Sequence, residues 1–196
     1  MLFRSGRDGQ VVHFPIQQNL HRDGILAVTT VPAPDVSAEV AEQAYRSAHA
    51  IASSLDYVGV LCVEFFVLQD GHIVANEMAP RPHNSGHHTI DACDVSQFEM
   101  QVRCMTGLPL VAPVLHSPCL MINLLGDLWF PAGATEQVEP DWAAVLALSG
   151  THLHLYGKAS ARVGRKMGHL TVTGATPQAA RAVALQVAAI LGIAPF

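Results

Sequence analysis

The stretch Val58–His88, with the sequence VGVLCVEFFVLQDGHIVANEMAPRPHNSGHH, decides the fold of this chain. It opens with an almost unbroken apolar run, Val58–Leu68, whose Val and Phe content is typical of a buried strand. The dipeptide Asp70-Gly71 follows, and it suits a type I′ turn because both central residues of that turn need positive φ. A second run, His72–Ala79, then returns along the first. The pattern predicts a β-hairpin.

The register of this hairpin predicts a pair of opposed carboxylates. If Asp70 and Gly71 are the two loop residues, counting outward along both strands places Glu64 opposite Glu77. Two like charges at that spacing destabilise a sheet unless a proton or a cation lies between them. Oxygen ligands of this kind suit Mg²⁺, which is commonly held by one or two carboxylates and by substrate phosphates. Two alternatives stay open: the glutamates face solvent or pair with Lys or Arg, or a one-residue bulge separates them.

Composition narrows the class of protein. The chain has 196 residues, of which half are hydrophobic and 14% charged, enough for one sizeable domain or two small ones. A net charge of −5 argues against nucleic acid as the main partner. The first residues lack the apolar segment of a signal peptide, and no apolar run reaches the roughly 18 residues of a membrane span. Four cysteines without a CxxC pair indicate reduced thiols and favour the cytoplasm.

Hairpins and separate helices alternate along the chain, which predicts an α+β fold. Residues Leu2–Ser5 and Gln10–Phe14 read as strands flanking a turn at Gly6–Gly9. Ser37 is a candidate cap for a helix with the apolar stripe Val40, Ala44, Ala48, Ile51 and Leu55. The other predicted strands are Ile25–Val31, Cys119–Leu125, Thr151–Tyr156 and Met167–Thr173, and the other helices are Val95–Thr106, Pro140–Leu148 and a last one capped by Thr176 that runs to Leu191.

Two polar clusters are candidates for chemistry. The first follows the hairpin and contains Arg81, His83, Asn84, Ser85, His87 and His88. Its three histidines do not have the spacing of a structural zinc site, so a loop that contacts substrate is the better interpretation beside two carboxylates.

The second cluster is a basic loop flanked by glycines. It contains four of the eleven Lys and Arg residues, namely Lys158, Arg162, Arg165 and Lys166. Composition alone favours a solvated loop, whereas the geometry of guanidinium and ammonium groups also suits a phosphate clamp.

Several runs together resemble one family. They are NLHRDGIL (Asn19–Leu26), YVGVLCVEFFV (Tyr57–Val67), NEMAPRPHNSGH (Asn76–His87), SQFE (Ser96–Glu99), MINLLG (Met121–Gly126), HLYGK (His154–Lys158) and GRKMGHL (Gly164–Leu170). These runs are similar to those of the 5-(carboxyamino)imidazole ribonucleotide synthase family of ATP-grasp ligases in purine biosynthesis, over the C-terminal half of such an enzyme. The resemblance implies the C-terminal lobe of an ATP-grasp domain at residues 1–110, an antiparallel sheet with helices, followed by a small α/β domain at residues 111–196 that binds substrate phosphate.

The resemblance also implies residue roles. Glu64 and Glu77 match Mg²⁺ ligands, whereas His21, Asn76 and Glu77 match residues that contact ATP. The reacting centre is expected to be lined by Arg81, His83, Asn84 and Ser85. The 5′-phosphate of the ribonucleotide is expected to be held by Lys158 and Arg165, with Arg162 and Lys166 as substitutes because one extra residue separates the first two here.

The implied reaction is the ATP-dependent carboxylation of 5-aminoimidazole ribonucleotide with bicarbonate through carboxyphosphate. The parts of the family that precede this region, including its glycine-rich loop and adenine-binding hinge, have no counterpart in the chain, so we expect a fragment that is inactive alone. The alternatives are a non-catalytic folded remnant or half-protein that needs an N-terminal partner, or another ATP-grasp ligase. The expected protein partner is a second copy of the chain or that complementing N-terminal half.

Overall fold

The structure is a computed structural model that describes residues 2–5, 9–131, 134 and 136–196, with only the backbone of residues 2–5. The chain divides into two compact units. One comprises residues 1–18 and 31–116, and the other comprises residues 19–30 and 117–196. None of the helices in the described ranges has the length and apolar character that crossing a membrane requires.

Nine strands and five helices make up the two units in the described part of the chain. The strands are β1 (Leu2–Ser5), β2 (Val11–His13), β3 (Gln18–Arg22), β4 (Ile25–Val31), β5 (Gly59–Val67), β6 (Ile73–Ala79), β7 (Cys119–Leu125), β8 (Thr151–Leu155) and β9 (Lys166–Thr173). The helices are α1 (Ala38–Ser54), α2 (Thr89–Ala92), α3 (Gln97–Thr106), α4 (Trp142–Leu146) and α5 (Pro177–Leu191). Single 3₁₀ turns lie at Asn84–Gly86 and Gly126–Trp129.

The first unit is a four-stranded antiparallel sheet of order β2-β1-β5-β6, with a helix packed on each face. Along β5, Leu61 and Val63 pack against α1, whereas Val60 and Cys62 pack in the cluster that includes α3. This double burial explains why β5 is an unbroken apolar run instead of an alternating one. Glu64 continues the face of Val60 and Cys62, because side chains two apart in a strand point the same way.

The second unit is a five-stranded sheet of order β3-β4-β7-β9-β8. Its core joins Ile122 and Leu124 of β7 and Leu170 of β9 to the small residues Ala180 and Ala184 of α5. Helix α5 has the predicted ends, since Thr176 accepts a hydrogen bond from Ala179 N–H, Pro177 is its first residue and Gly192 closes it in the left-handed conformation. The α+β architecture predicted from the sequence is therefore confirmed.

Strands β3 and β4 belong to the second sheet. Residues 19–30, which contain most of both strands, nevertheless precede most of the first unit in the sequence. The division of the chain at residue 110 stays a prediction. The predicted strand Ile25–Val31 is confirmed, whereas the turn predicted at Gly6–Gly9 falls largely outside the described residues.

The stripe predicted for the first helix is wrong at its end. Val40, Ala44 and Ala48 are buried as expected, and Ser37 caps the helix. Leu55, however, is 58% exposed because α1 ends at Ser54 and the buried stripe closes on Ala52.

The hairpin turn differs from the predicted type I′ turn. Leu68 donates its N–H to His72 O at 2.8 Å and accepts the N–H of Gly71 at 3.0 Å, so the loop has three residues. Only Gly71 of the three has positive φ, at 81°, as in a type I turn followed by a left-handed residue. The type I′ dipeptide is instead Asp23-Gly24, between β3 and β4, with φ of 50° and 76°.

The opposition of Glu64 and Glu77 is nevertheless confirmed. The three-residue loop shifts the register by one residue near the tip, where Phe65 faces Ala75. A β-bulge between Glu64 and Phe65 restores the predicted pairing, and Asn76 is the extra residue on β6. Two deviations from the predicted geometry therefore cancel at the pair of glutamates.

We expect Gly71→Ala to lower the free energy of unfolding by about 1–2 kcal/mol, because an L residue is strained in the left-handed region. Gln69→Ala is the matched control in the same loop, and it should change that free energy by less than about 0.5 kcal/mol. Urea unfolding monitored by circular dichroism measures both. Equal losses for the two variants would contradict the three-residue loop.

Candidate active site

The two opposed glutamates differ in burial. Glu64 is 7% exposed, whereas the side chain of Glu77 is 55% exposed. The pair therefore has one carboxylate fixed in the protein and one facing outward, as expected where a group from solution is to be held between them.

The ring of His83 lies between the two carboxylates. Its Nδ1 is 3.7 Å from Glu64 Oε1 and its Nε2 is 3.2 Å from Glu77 Oε1. The same Nδ1 lies 2.9 Å from Ser85 Oγ. When protonated, the ring carries a positive charge in contact with both carboxylates, which offsets the repulsion between them.

Ser85, His83 and Glu77 are connected in the same order as the residues of a hydrolase triad. The serine, however, lacks the accessibility of a catalytic one. The serine is completely buried, and its hydroxyl lies 3.8 Å from the buried thiol of Cys62. A nucleophile must reach its substrate, so Ser85 orients the histidine instead of attacking.

Gln97 holds the polar loop in place, and sequence reasoning gave it no role. Its side chain is completely buried and accepts the N–H of His83 at 2.8 Å. Its Nε2 donates to the carbonyl of His83 and lies near His87 Nδ1, both at 2.8 Å. Its own N–H donates to Thr89 Oγ1 at 2.9 Å. Gln97 lies in the SQFE run at Ser96–Glu99, so one of the family-like motifs contains it.

The three histidines of the loop take three different partners. His83 lies at the glutamates, whereas His87 contacts Gln97 and stacks on Phe98 at 5.4 Å. His88 is fully buried with Nδ1 3.0 Å from Ser85 O, and burial lowers its pKa to about 4. Its neutral ring is part of the packed interior, in agreement with the interpretation that the three do not form one zinc site.

The remaining predicted residues of this unit lie at its surface. Arg81 is exposed, and its guanidinium donates to the carbonyl of Pro82 at 3.0 Å. Asn76 is exposed at the bulge beside Glu77, and Asn84 is half-buried in the 3₁₀ turn.

The basic loop belongs to the second unit and is folded against the 3₁₀ turn after β7. Gly126 N–H donates to Arg165 O at 2.8 Å, and Gly164 N–H donates to Asp127 Oδ2 at 2.8 Å. A Cβ on Gly126 would lie 2.2 Å from the carbonyl oxygen of Arg162, so the two backbones approach as closely as only glycine allows. A loop that merely faces solvent needs no such contacts.

The four cations of this loop are used differently. Lys158 Nζ donates to the carbonyl of Lys166, and Arg165 donates to the carbonyl of Ser160 at 2.9 Å. Arg162 is exposed. The ammonium of Lys158 also lies 5.7 Å from the ring centre of Tyr156, whose pKa burial raises to about 12. The loop therefore combines cations held by backbone carbonyls with an exposed one.

Two family models match the chain. The model of the ATP-grasp domain matches residues 1–98. The chain belongs to the ATP-grasp family. A second model, described as the phosphoribosylaminoimidazole carboxylase C-terminal domain, matches residues 119–183.

Relatives of this ATP-grasp chain carry a common name. The N5-carboxyaminoimidazole ribonucleotide synthase of Brucella melitensis is 50% identical over 165 residues, and that of Escherichia coli is 45% identical over 168. These matches cover 84% and 86% of the chain but only 42% and 43% of the relatives. The resemblance stated from the sequence motifs is confirmed.

Solved structures agree with the family. The N5-carboxyaminoimidazole ribonucleotide synthetase of Thermus thermophilus has a TM-score of 0.88 at 38% identity, covering all of this chain and 51% of its own. The synthase of Aspergillus clavatus in complex with ADP and 5-aminoimidazole ribonucleotide has a TM-score of 0.86 at 31% identity, with coverages of 97% and 50%. The chain thus spans about half the length of these relatives.

The predicted site residues of this ATP-grasp chain divide between the two units. The glutamates, Asn76 and the loop Arg81–Ser85 lie in the first unit, whereas the basic loop lies in the second. His21, the third residue expected at the nucleotide, is exposed on β3 of the second unit. Within the first unit, the structure brings His83 together with both glutamates.

We expect the buried His88 to make this protein acid-sensitive. Its pKa is about 4 when folded against 6.5 for an ordinary histidine, so the unfolded state binds more protons between these values. Stability is then present above pH 6.5 and is lost as the pH falls toward 4. The loss attributable to this group between pH 7 and pH 5 is about 2 kcal/mol.

Urea unfolding of the wild type and of His88→Gln at several pH values measures this contribution as the difference between their pH slopes. His72→Gln, which removes an exposed histidine, is the control and should keep the wild-type slope. Parallel slopes for the wild type and His88→Gln would show that His88 is not held neutral by burial.

Proposed function

We propose that this chain provides the carboxylate pair and the substrate-phosphate loop of an ATP-dependent ligase that carboxylates 5-aminoimidazole ribonucleotide. The observation that carries the proposal is the opposition of Glu64 and Glu77 around His83 in a chain of the ATP-grasp family. The match to the C-terminal domain model and the names of the relatives support the same substrate.

The chemistry explains why such an enzyme consumes ATP. Bicarbonate is a poor electrophile, because hydroxide is a poor leaving group. Transfer of the γ-phosphoryl group of ATP to a bicarbonate oxygen gives carboxyphosphate and ADP. The exocyclic amine of the ribonucleotide then attacks the carboxyl carbon, the bond to the phosphate oxygen breaks, and inorganic phosphate and one proton leave. The site must therefore hold a triphosphate, an anion and an amine next to one another.

The donor set fits Mg²⁺, since it consists of two carboxylates with one side chain open to solvent. Glu64 and Glu77 would hold the ion, which when bound supplies Lewis-acid neutralisation of the phosphate oxygens. Glu64 is the fixed ligand because it is buried in β5, and Glu77 is the outer ligand. Asn76, placed next to Glu77 by the bulge, and His21 are proposed to contact the nucleotide.

The polar loop is proposed to bind the reacting groups. Arg81 is exposed and carries the charge that would stabilise the transferred phosphoryl group and its leaving oxygen. His83 and Asn84 would contact the bicarbonate-derived anion. Ser85 is a positioning residue, because its buried hydroxyl acts through His83.

The basic loop is proposed to bind the 5′-phosphate of the ribonucleotide. Lys158 and Arg165 each spend one donor on a backbone carbonyl of the loop, which fixes their stems. A guanidinium has five N–H donors, so Arg165 keeps enough of them for a bidentate phosphate contact. Arg162 and Lys166 provide further cations in the same loop.

The setting of the reaction follows from the same features. All four cysteines are buried thiols outside any disulfide, as expected for a protein in the cytoplasm, which we propose as its location. The relatives from Brucella melitensis and Escherichia coli are more than twice as long as the matched region. We propose that turnover needs the further sequence that those relatives have, either in the same polypeptide or in a separate N-terminal chain.

A chimera tests the proposed reaction. The part of the Brucella melitensis relative that this chain does not match is joined to the chain, and ADP release is followed with ATP, bicarbonate and 5-aminoimidazole ribonucleotide. We expect ADP release that requires both other substrates, and a loss of about 100-fold or more in kcat with Glu77→Gln. His72→Gln, a change at the exposed hairpin tip, is the matched control and should keep full activity. ADP release that does not depend on the ribonucleotide would overturn the proposal.

In the same chimera, Arg165→Ala should raise the KM for the ribonucleotide by about 10- to 150-fold. This range corresponds to a charge-assisted contact of roughly 1.5–3 kcal/mol. The KM for ATP should stay nearly unchanged, because the γ-phosphate is proposed to bind at the ion held by the two glutamates and not at the basic loop. Arg181→Ala, on α5, is the control of the same residue type. Equal losses for both substrates would mean that the loop is only structural.

A further inference from the structure

A group of possible metal ligands that includes a soft sulfur donor shares Glu64 with the carboxylate pair. Cys62 and Glu64 are two apart on the same face of β5, and His83 lies against them from the loop after β6. The donor atoms of the three side chains all lie within 4.8 Å of one another. Thiol sulfur, imidazole nitrogen and carboxylate oxygen are the three donor types that Zn²⁺ takes in proteins, whereas Mg²⁺ takes oxygen.

The distance between two of these donors is close to the distance expected around a single tetrahedral ion. His83 Nδ1 and Glu64 Oε1 are 3.7 Å apart, close to the roughly 3.3–3.4 Å edge that bonds of about 2.0–2.1 Å give in a tetrahedron. The hydroxyl of Ser85 contacts both soft donors, at 2.9 Å from His83 Nδ1 and 3.8 Å from Cys62 Sγ. One polar atom therefore already lies within reach of the sulfur and the nitrogen.

The site is enclosed but reachable. Cys62 is 1% exposed, and the side chains of Glu64 and His83 are 8% and 12% exposed. A bound divalent ion deprotonates a coordinating thiol, and the released proton passes to solvent.

We propose that Cys62, Glu64 and His83 form a site for Zn²⁺ or a similar borderline-soft ion, distinct in its donors from the Glu64/Glu77 pair. Three protein ligands leave a fourth position for water or Ser85 Oγ. The two sites share Glu64, so a bound Zn²⁺ removes the fixed carboxylate from the Mg²⁺ pair. In a ligase of the kind proposed above, Zn²⁺ is thus an inhibitor that competes with Mg²⁺. This last consequence rests on the proposed function, whereas Zn²⁺ binding itself does not.

Cobalt provides a readout independent of turnover, because a Co²⁺–thiolate bond absorbs in the near ultraviolet and tetrahedral Co²⁺ gives intense visible bands. Titration of the reduced chain with Co²⁺ should produce both signals at one equivalent, and Zn²⁺ should abolish them. Cys62→Ser should remove the thiolate band and weaken Zn²⁺ binding, measured against a chromogenic chelator, by about 10- to 100-fold. Cys104→Ser changes another buried cysteine of the same core and should leave both unchanged.

A second variant covers a failure of Cys62→Ser to fold. His83→Asn should keep the thiolate band but weaken binding, because the sulfur ligand remains. Excess Mg²⁺ should weaken Co²⁺ binding in the wild type, since both ions need Glu64. A wild-type titration without a thiolate band, or a band that survives Cys62→Ser, would overturn the site. Either result leaves the turnover test of the chimera untouched.

Discussion

The repulsion between the like charges of Glu64 and Glu77 is the constraint on which the arrangement of the first unit depends. Two opposed carboxylates in a ladder repel each other, and one of them is buried in an otherwise apolar strand. The structure answers with His83, whose ring contacts both carboxylates. Its position is in turn held by Ser85 through the ring and by Gln97 through the backbone. Removing His83 would take away the side chain that contacts both carboxylates and leave Glu64 buried in an apolar strand.

The packing of β5 explains how so much polarity is tolerated there. Both faces of the strand are covered by helices, so its position is fixed before any polar contact is counted. Gln97 lies at the start of α3, where a completely buried amide has a partner for each of its polar atoms. Buried networks of this kind are stabilising only when every member is satisfied. The rigid strand β5 and the fully hydrogen-bonded amide of Gln97 together hold Glu64 fixed opposite the outer carboxylate of Glu77.

Sequence reasoning was most successful where a physical rule acts locally. Caps such as Thr176 and Gly192 and the buried run of β5 followed from residue types and spacing, whereas the glutamates are opposed because the bulge offsets the three-residue loop. The turn at Asp70-Gly71 was predicted wrongly, because a dipeptide does not specify whether two or three residues form the loop. The contacts of Gln97 could not be predicted, since they join residues 14 positions apart through side-chain orientation. The assignment of residues 19–30 to the second sheet likewise depends on long-range pairing that periodicity does not report.

The bulge at Asn76 interrupts the ladder of β5 and β6. It divides the hairpin into a base, which contains Glu64 and Glu77, and a tip, which contains the turn. Only three residue pairs, Phe65–Ala75 to Val67–Ile73, lie beyond the bulge, and much of the tip is exposed. Changes of length or sequence at the tip are therefore absorbed before they reach the pairs at Glu64 and below. For the same reason the tip is a suitable place to insert a fluorescent reporter, because an insertion there leaves the pairing of Glu64 with Glu77 in place.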